Sequence, residues 1–430
     1  MSKLKNLFQN HQKKDDASYQ PKVPTRHLTK IGFWTNGVWD STLAKEANSI
    51  VDKREELAVC ESKLQELSGA DNNDENEKKK NEEELMTLHE KIAVLALDLG
   101  DFDRAERALK EMLKIAKLVY PDPHEHEVVA TAMQQLGDVQ SDACRGANPE
   151  KAEINKAAMD NFFWALDLRQ NMYGNKGLQV AETFFSMAWT LLLVHEPSKP
   201  SAEQAVDCFE EALEIRKEHN GNDDLSVADA LVGMGAGKIL QSTIATKTTI
   251  AESEETPNEL LDQALKHLWE ARRIYMLPQN DNNNDGAFIN TKVSHTLCWM
   301  GQAHLWKAEY ELAYECHNEC IGILQRVAEE SQPVQEELAN MNMSLGELYS
   351  NWYFQKSSCS ESSSESSELN RQKAMDYYQN ALSIRRKVFP DGHARLADSF
   401  MALAHFHAKL GNKDDAESFS KLCESMQAAE

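Results

Sequence analysis

One pattern constrains this chain more than any other: an alanine followed at offsets 4, 7 and 10 by residues of alternating size, met seven times. The clearest copy is Ala105, Leu109, Met112 and Ile115, which follows the turn Leu99-Gly-Asp-Phe-Asp-Arg. The next copies are Ala158, Phe162, Ala165, Leu168; Ala205, Phe209, Ala212, Ile215; and Ala264, Leu268, Ala271, Ile274. The last three are Ala313, His317, Cys320, Ile323; Ala374, Tyr378, Ala381, Ile384; and Ala416, Ser420, Cys423, Met426. At roughly 100° per residue, such offsets keep four side chains on one helix face. Small residues at the anchor and seven later admit a close neighbour, and the larger ones between them fill the gap.

A second helix precedes each anchor, marked by a small residue where helices must touch: Ala93, Gly137, Ala188, Gly235, Gly301, Gly346 and Ala404. The step from mark to anchor is 12 residues in the first, fifth and seventh units, and 21, 17, 29 and 28 in the others. The surplus is polar and falls at 141–156, 242–258 and 357–372, where a surface loop grows at little entropic cost. The expectation is an all-α, right-handed superhelical solenoid of about seven antiparallel helix pairs over residues 85–430. With only 18 Gly and 11 Pro in 430 residues, long helices meet few breakers.

The small-large-small face and the Leu-Gly-Asp-Phe turn resemble the tetratricopeptide repeat. The step from anchor to next mark is 30 residues in three units (158 to 188, 205 to 235, 374 to 404), a period of about 42. The common tetratricopeptide period is about 34. Ala165-Leu-Asp-Leu-Arg, Ala212-Leu-Glu-Ile-Arg-Lys and Ala381-Leu-Ser-Ile-Arg-Arg-Lys look like the second helix of kinesin light chain repeats. Val180-Ala-Glu, Val227-Ala-Asp and Leu396-Ala-Asp, each after a loop, are similar to that family too. The resemblance implies a non-enzymatic adaptor or scaffold that binds a peptide or helix in a concave groove, with kinesin heavy chain as a partner.

In tetratricopeptide folds, positions 2, 5, 9, 12 and 13 of each first helix line that groove. Here they place Glu90, Asp98, Asp138, Asp142, Glu182, Asp229, Glu347 and Asp398 there, against one basic residue, Lys409. Phe185, Trp189, Leu192, Val232, Ile239, Leu305 and Trp306 supply apolar anchors between them. Kinesin light chains grip acidic cargo with basic and Asn residues, and an acidic groove does not suit that cargo. A partner with basic and apolar character does, either as adaptor cargo or as a basic client shielded by an assembly factor or chaperone.

The formal charge of −24 points away from nucleic acid and anionic membrane surfaces. No apolar run is long enough to span a bilayer. Met1 to Lys14 lacks the apolar core of a secretory signal and the Arg of a transit peptide, so the expected location is the cytoplasm. The eight cysteines show no paired spacing, as in a reducing compartment. Residues 1–40 carry seven Lys or Arg against three Asp, with Phe33, Trp34 and Trp39, and read as an extended arm. That arm is either a disordered terminus or, through Lys22, Arg26, Lys30, Trp34 and Trp39, a ligand of the chain's own acidic groove. Residues 41–84 read as a helix with a short heptad pattern (Leu43, Ile50, Leu57, Leu64) and a polar loop.

No catalytic constellation and no cofactor site is found. Val232-Gly-Met-Gly-Ala-Gly-Lys238 lacks the following Ser or Thr of a phosphate loop and lies in a helical pattern. His124 and His126, His405 and His407 have no third metal ligand at useful spacing, and Cys316, His317 and Cys320 fall on the packing face. The Ser- and Glu-rich stretch from 357 reads as a solvated loop, with phosphorylation as its functional alternative, since Ser358 and Ser362 each have Glu three residues later. If the register is right, Ala212→Phe overpacks a helix contact and lowers stability by about 1–3 kcal/mol. Circular dichroism melts check this, and an unchanged melting temperature would refute the register.

Overall fold

The computed structural model describes residues 50–68, 75–98, 101–120, 122, 126–143, 151–192, 198–247, 255–277, 286–327, 332–358, 364–388 and 394–427. The basic arm at 1–40 and its proposed seat in the groove lie outside them. The described residues form the helices α1 (Ile50–Ser68), α2 (Glu75–Asp98), α3 (Phe102–Val119), α4 (Glu127–Ala143), α5 (Lys151–Tyr173), α6 (Leu178–Leu192) and α7 (Lys199–Asn220). These make one compact unit, which ends at Gly221. A second unit begins at Asn222 and holds α8 (Leu225–Lys247), α9 (Pro257–Tyr275), α10 (Gly286–Trp306), α11 (Tyr310–Val327), α12 (Gln332–Ser358), α13 (Ser364–Val388), α14 (Ala394–Leu410) and α15 (Lys413–Gln427).

The helices pair as tetratricopeptide hairpins do. In the first unit α2 packs on α3, α4 on α5 and α6 on α7; in the second, α8 on α9, α10 on α11, α12 on α13 and α14 on α15. The alanines of the repeat pattern lie in these contacts. Ala165, Ala212, Ala271 and Ala381 are completely buried, as are the anchors from Ala105 to Ala374. Ala416, on the last helix, is only half-buried.

The glycine marks show why the spacing works. A methyl group at Gly137 would sit 2.8 Å from Phe162, one at Gly235 2.6 Å from Leu268, and one at Gly346 2.6 Å from Tyr378. In every case the neighbour is the large residue four after the anchor. The two backbones therefore approach as closely as a hydrogen side chain permits, and the large side chain closes the gap.

Helix α1 departs from expectation. Leu57 and Cys60 are buried in the core of the first unit, and Leu64 and Leu67 pack against it. Glu61 accepts from Arg104 of α3 at 2.9 Å, and Lys63 pairs with Glu84 of α2 at 2.6 Å. The helix thus lies where the second helix of a preceding pair would, and Leu57 and Leu64 of its heptad pattern are spent inside the molecule. The inserts differ too. Helices α4, α8 and α12 run on to Ala143, Lys247 and Ser358, and α5 and α13 begin at Lys151 and Ser364, so helix takes up much of the expected loops. Likewise α2 starts at Glu75, inside the stretch read as a polar loop.

In the fifth and seventh units, where mark and anchor are 12 apart, the turn is tight and left-handed. Glu309 N–H donates to the His304 carbonyl at 2.9 Å and Asn412 N–H to the His407 carbonyl at 3.0 Å, each bridging a residue of positive φ. That residue is Gly411 (φ 81°) in one turn and Ala308 (φ 58°) in the other. A Cβ in this conformation costs about 1–2 kcal/mol. Ala308→Gly, which removes it at some cost in unfolded-chain entropy, should raise stability by about 1 kcal/mol. Urea unfolding checks this, and a lower midpoint would show that Ala308 is unstrained.

Candidate partner-binding faces

In the first unit, the first helices of neighbouring pairs lie side by side. Thr183 of α6 donates to Gln134 of α4 at 3.0 Å, and Thr190 donates to Ser141 at 2.9 Å. Beneath them, the buried Arg169 reaches up from α5. Its Nε donates to Glu127 at 2.8 Å and its Nη1 to Thr183 at 2.9 Å, to the Gln179 carbonyl at 3.2 Å and to Gln134. One guanidinium thus ties α4 to α6. On the α6 surface Glu182 is exposed and Phe185 half-buried, with the Arg216 guanidinium 4.3 Å above the Phe185 ring. Glu90 of α2 accepts from Gln135 at 2.8 Å.

The second unit repeats the device. Arg385 of α13, fully buried, donates to Asn340 of α12 at 2.7 Å and to Ser399 of α14 at 2.9 Å. Asp229 of α8 accepts from the Tyr275 hydroxyl and pairs with Lys292 of α10 at 3.0 Å. His295 Nε2 accepts the Trp299 indole N–H at 3.1 Å. That bond needs a neutral ring, and burial, followed by the Lys292 charge, lowers the His295 pKa to about 4.

These contacts correct several expectations. Trp189 is 2% exposed, held edge-on between Phe185 and Phe209, and is core rather than groove. Leu192, Val232, Ile239 and Leu305 are buried as well. The reason is lateral: α4 touches α6 and α8 touches α10, which closes the stripe between them. Asp138 is buried, so it offers no charged rim. Asp229 is matched by Lys292 rather than left as bait for a cation. Glu347 and Asp398 are half-buried, and Trp306 is 41% exposed at the end of α10. The side chains of Asp98 and Asp142 lie outside the described residues.

The arginines were the missed feature. Arg169, Arg216 and Arg385 stand 11 residues after their anchors, a recurrence visible in the chain. The acceptors of Arg169 and Arg385 come from helices up to 45 residues away, and only the fold reveals those.

Val232 to Lys238 lies inside α8. Among the described residues, no three His, Cys, Asp or Glu side chains are placed to hold a metal, and no helix is long and apolar enough to cross a membrane. His407 pairs with Asp415 at 3.3 Å, and His126 stacks on Tyr120.

The chain matches no protein-family model and no curated protein. Among solved structures it is similar to RapI in its apo form, at 14% identity over 80% of this chain and 97% of that one, with a TM-score of 0.49. It is also similar to aspartyl phosphate phosphatase F from Bacillus subtilis (12% identity, 96% of each chain, TM-score 0.41). A third likeness is to a putative kinesin light chain with nearly identical TPR-like repeats from Podospora anserina (14% identity, 53% and 88%, TM-score 0.32). At such values these likenesses fix neither a partner nor an activity for this chain.

His317 illustrates packing in place of metal chemistry. It is completely buried, and a methyl at Gly301 would lie 2.5 Å from its ring. Neither ring nitrogen has a hydrogen-bond partner among the described residues, and burial, with His304 adding repulsion, lowers its pKa to about 4. The folded state therefore refuses a proton that the unfolded chain takes up near pH 6.5, so stability falls with pH from there to about 4. The full loss is on the order of 3 kcal/mol. His317→Phe, the residue of the equivalent positions 162 and 209, should flatten this acid limb in urea titrations at stepped pH. An unaltered slope would mean the ring is solvated.

Proposed function

We propose that this chain is a non-enzymatic scaffold that holds a protein or peptide against its first-helix faces. The observation that carries this reading is on α6, where an exposed carboxylate, Glu182, stands one turn from the half-buried ring of Phe185. A carboxylate steers and orients a cationic side chain, and an aromatic ring beside it supplies contact area at low entropic cost. Trp306 offers a similar ring at the end of α10. With a net charge of −24, the fitting partner is basic with apolar residues interspersed. Glu90, Glu347 and Asp398 are proposed as the outer members of these faces.

Two roles accommodate such a partner: a cytoplasmic adaptor in the manner of kinesin light chain repeats, or an assembly factor shielding a basic client. The burial of the α1 heptad face weighs against the first in its coiled-coil form, because a kinesin heavy chain would have to be held elsewhere. Co-purification from native cells separates the two, by recovery of a motor and its cargo or of a soluble basic client. Against the recovered partner, Glu182→Gln with Phe185→Ala should cost about 2 kcal/mol of binding, and Glu182→Gln alone should weaken binding with the thermal melt in place. Trp189→Ala should instead lower the melting temperature. Undiminished binding by the double variant would refute this use of α6.

A further inference from the structure

The opposite side of the first unit carries a second surface. On α7 the outward residues Asp207, Glu210, Glu211 and Glu214 are all exposed. Glu210, Glu211 and Glu214 form no hydrogen bond or ion pair with any described residue. Counted from the anchors Ala158 and Ala205, Trp164 on α5 and Glu211 on α7 lie the same six residues along their helices. Both helices pack on α6, and the turn after α5 is tied to the end of α7. Trp164 is 58% exposed, the most exposed tryptophan among the described residues.

Two features of the molecule show what this surface accepts. At the end of the acidic row an ammonium is already bound: Lys176 Nζ pairs with Glu218 at 2.6 Å, while His219 Nε2 donates to the Lys176 carbonyl at 2.7 Å. The Glu218 bond and charge, with Glu214 and Glu211 behind them, hold the Lys176 pKa above its ordinary value. In the second unit the other outward tryptophan of a second helix, Trp269, is 52% exposed and holds the chain's own Arg272 guanidinium carbon 5.4 Å from its ring centre. No described residue places a cation over Trp164. The row and the ring thus repeat two cation-binding arrangements with the cation left out.

We infer that the α5–α7 face is a docking surface for a Lys- or Arg-rich segment of another protein, which lays a cation on Trp164 and others along Glu210, Glu211 and Glu214. The inference goes beyond the scaffold reading, since it concerns the second helices and survives if the first-helix faces bind nothing. Cation–π contact on Trp164 and carboxylate pairing along the row act on different cations of one segment, and the row sets a salt-sensitive approach.

The test uses the full chain and a fluorescein-labelled peptide of alternating Lys and Ala, read by anisotropy at stepped salt. Trp164→Ala should weaken binding about tenfold, with an unchanged circular dichroism spectrum because the ring is outside the core. Glu211→Gln with Glu214→Gln should weaken it and flatten its salt dependence. The Trp164→Ala loss should persist in a chain that also carries Glu182→Gln with Phe185→Ala, in which the first-helix face is disabled. Equal binding by the Trp164 and glutamate variants overturns the inference. So does loss confined to the α6 variant, which would place the peptide on the first-helix face. A severalfold gain on changing Lys22, Arg26 and Lys30 to Gln would overturn it as well, by showing that the chain's own arm fills the surface.

Discussion

Everything in this structure depends on one contact, that of a residue with almost no side chain on one helix against a large side chain on the next. Gly137 meets Phe162, Gly235 meets Leu268, Gly301 meets His317 and Gly346 meets Tyr378. Two helices that touch through hydrogen on one side lie closer than ordinary side chains allow, and every neighbouring position must then be small. That is why the anchor is alanine, and why alanine or cysteine stands seven residues later in six of the seven units. It is also why the large position tolerates such varied chemistry: phenylalanine, leucine, tyrosine, even a histidine whose nitrogens bond to nothing. Shape selects the residue there, and polarity is secondary.

Once each pair is closed by this contact, charge has to be settled between neighbouring pairs. A strongly acidic chain might be imagined as a uniformly negative surface. Instead, the carboxylates and amides of the first helices meet cations from elsewhere in the fold: Glu127 with Arg169, Asp229 with Lys292, Asn340 with Arg385. Buried guanidiniums bridge consecutive first helices, and they hold neighbouring pairs in register as the glycine contacts hold the two helices of a pair. Among the described residues, Glu182 on α6 and Glu210, Glu211 and Glu214 on α7 are exposed carboxylates without such a cation. A partner drawn by charge would meet those residues, whereas Glu127 and Asp229 already have their cations.

The pairing of helices was legible because it rests on local rules. A period of 3.6 residues and the volume of side chains at fixed offsets are written in the chain, and both survive folding unchanged. Hence α2 to α15 pair as the alanine series requires, and the glycine marks fall at helix contacts. The binding faces were far less legible. Trp189, Val232, Ile239 and Leu305 occupy positions that line a groove when neighbouring first helices stand apart, and here those helices touch. Asp138 and Asp229 looked alike as free carboxylates, yet one is buried and the other is paired with a lysine 63 residues away.

The sequence by itself determined that this protein is a run of antiparallel helix pairs with alanine-sized contacts, since those follow from spacing along single helices. Only the tertiary structure decided which side chains face a partner, because exposure depends on how closely successive first helices approach. The same approach gave α1 its place beside α2 and α3, although its heptad pattern alone would serve a coiled coil equally well. Accessibility and charge pairing are properties of surfaces formed by several helices, and no single segment of the chain contains them.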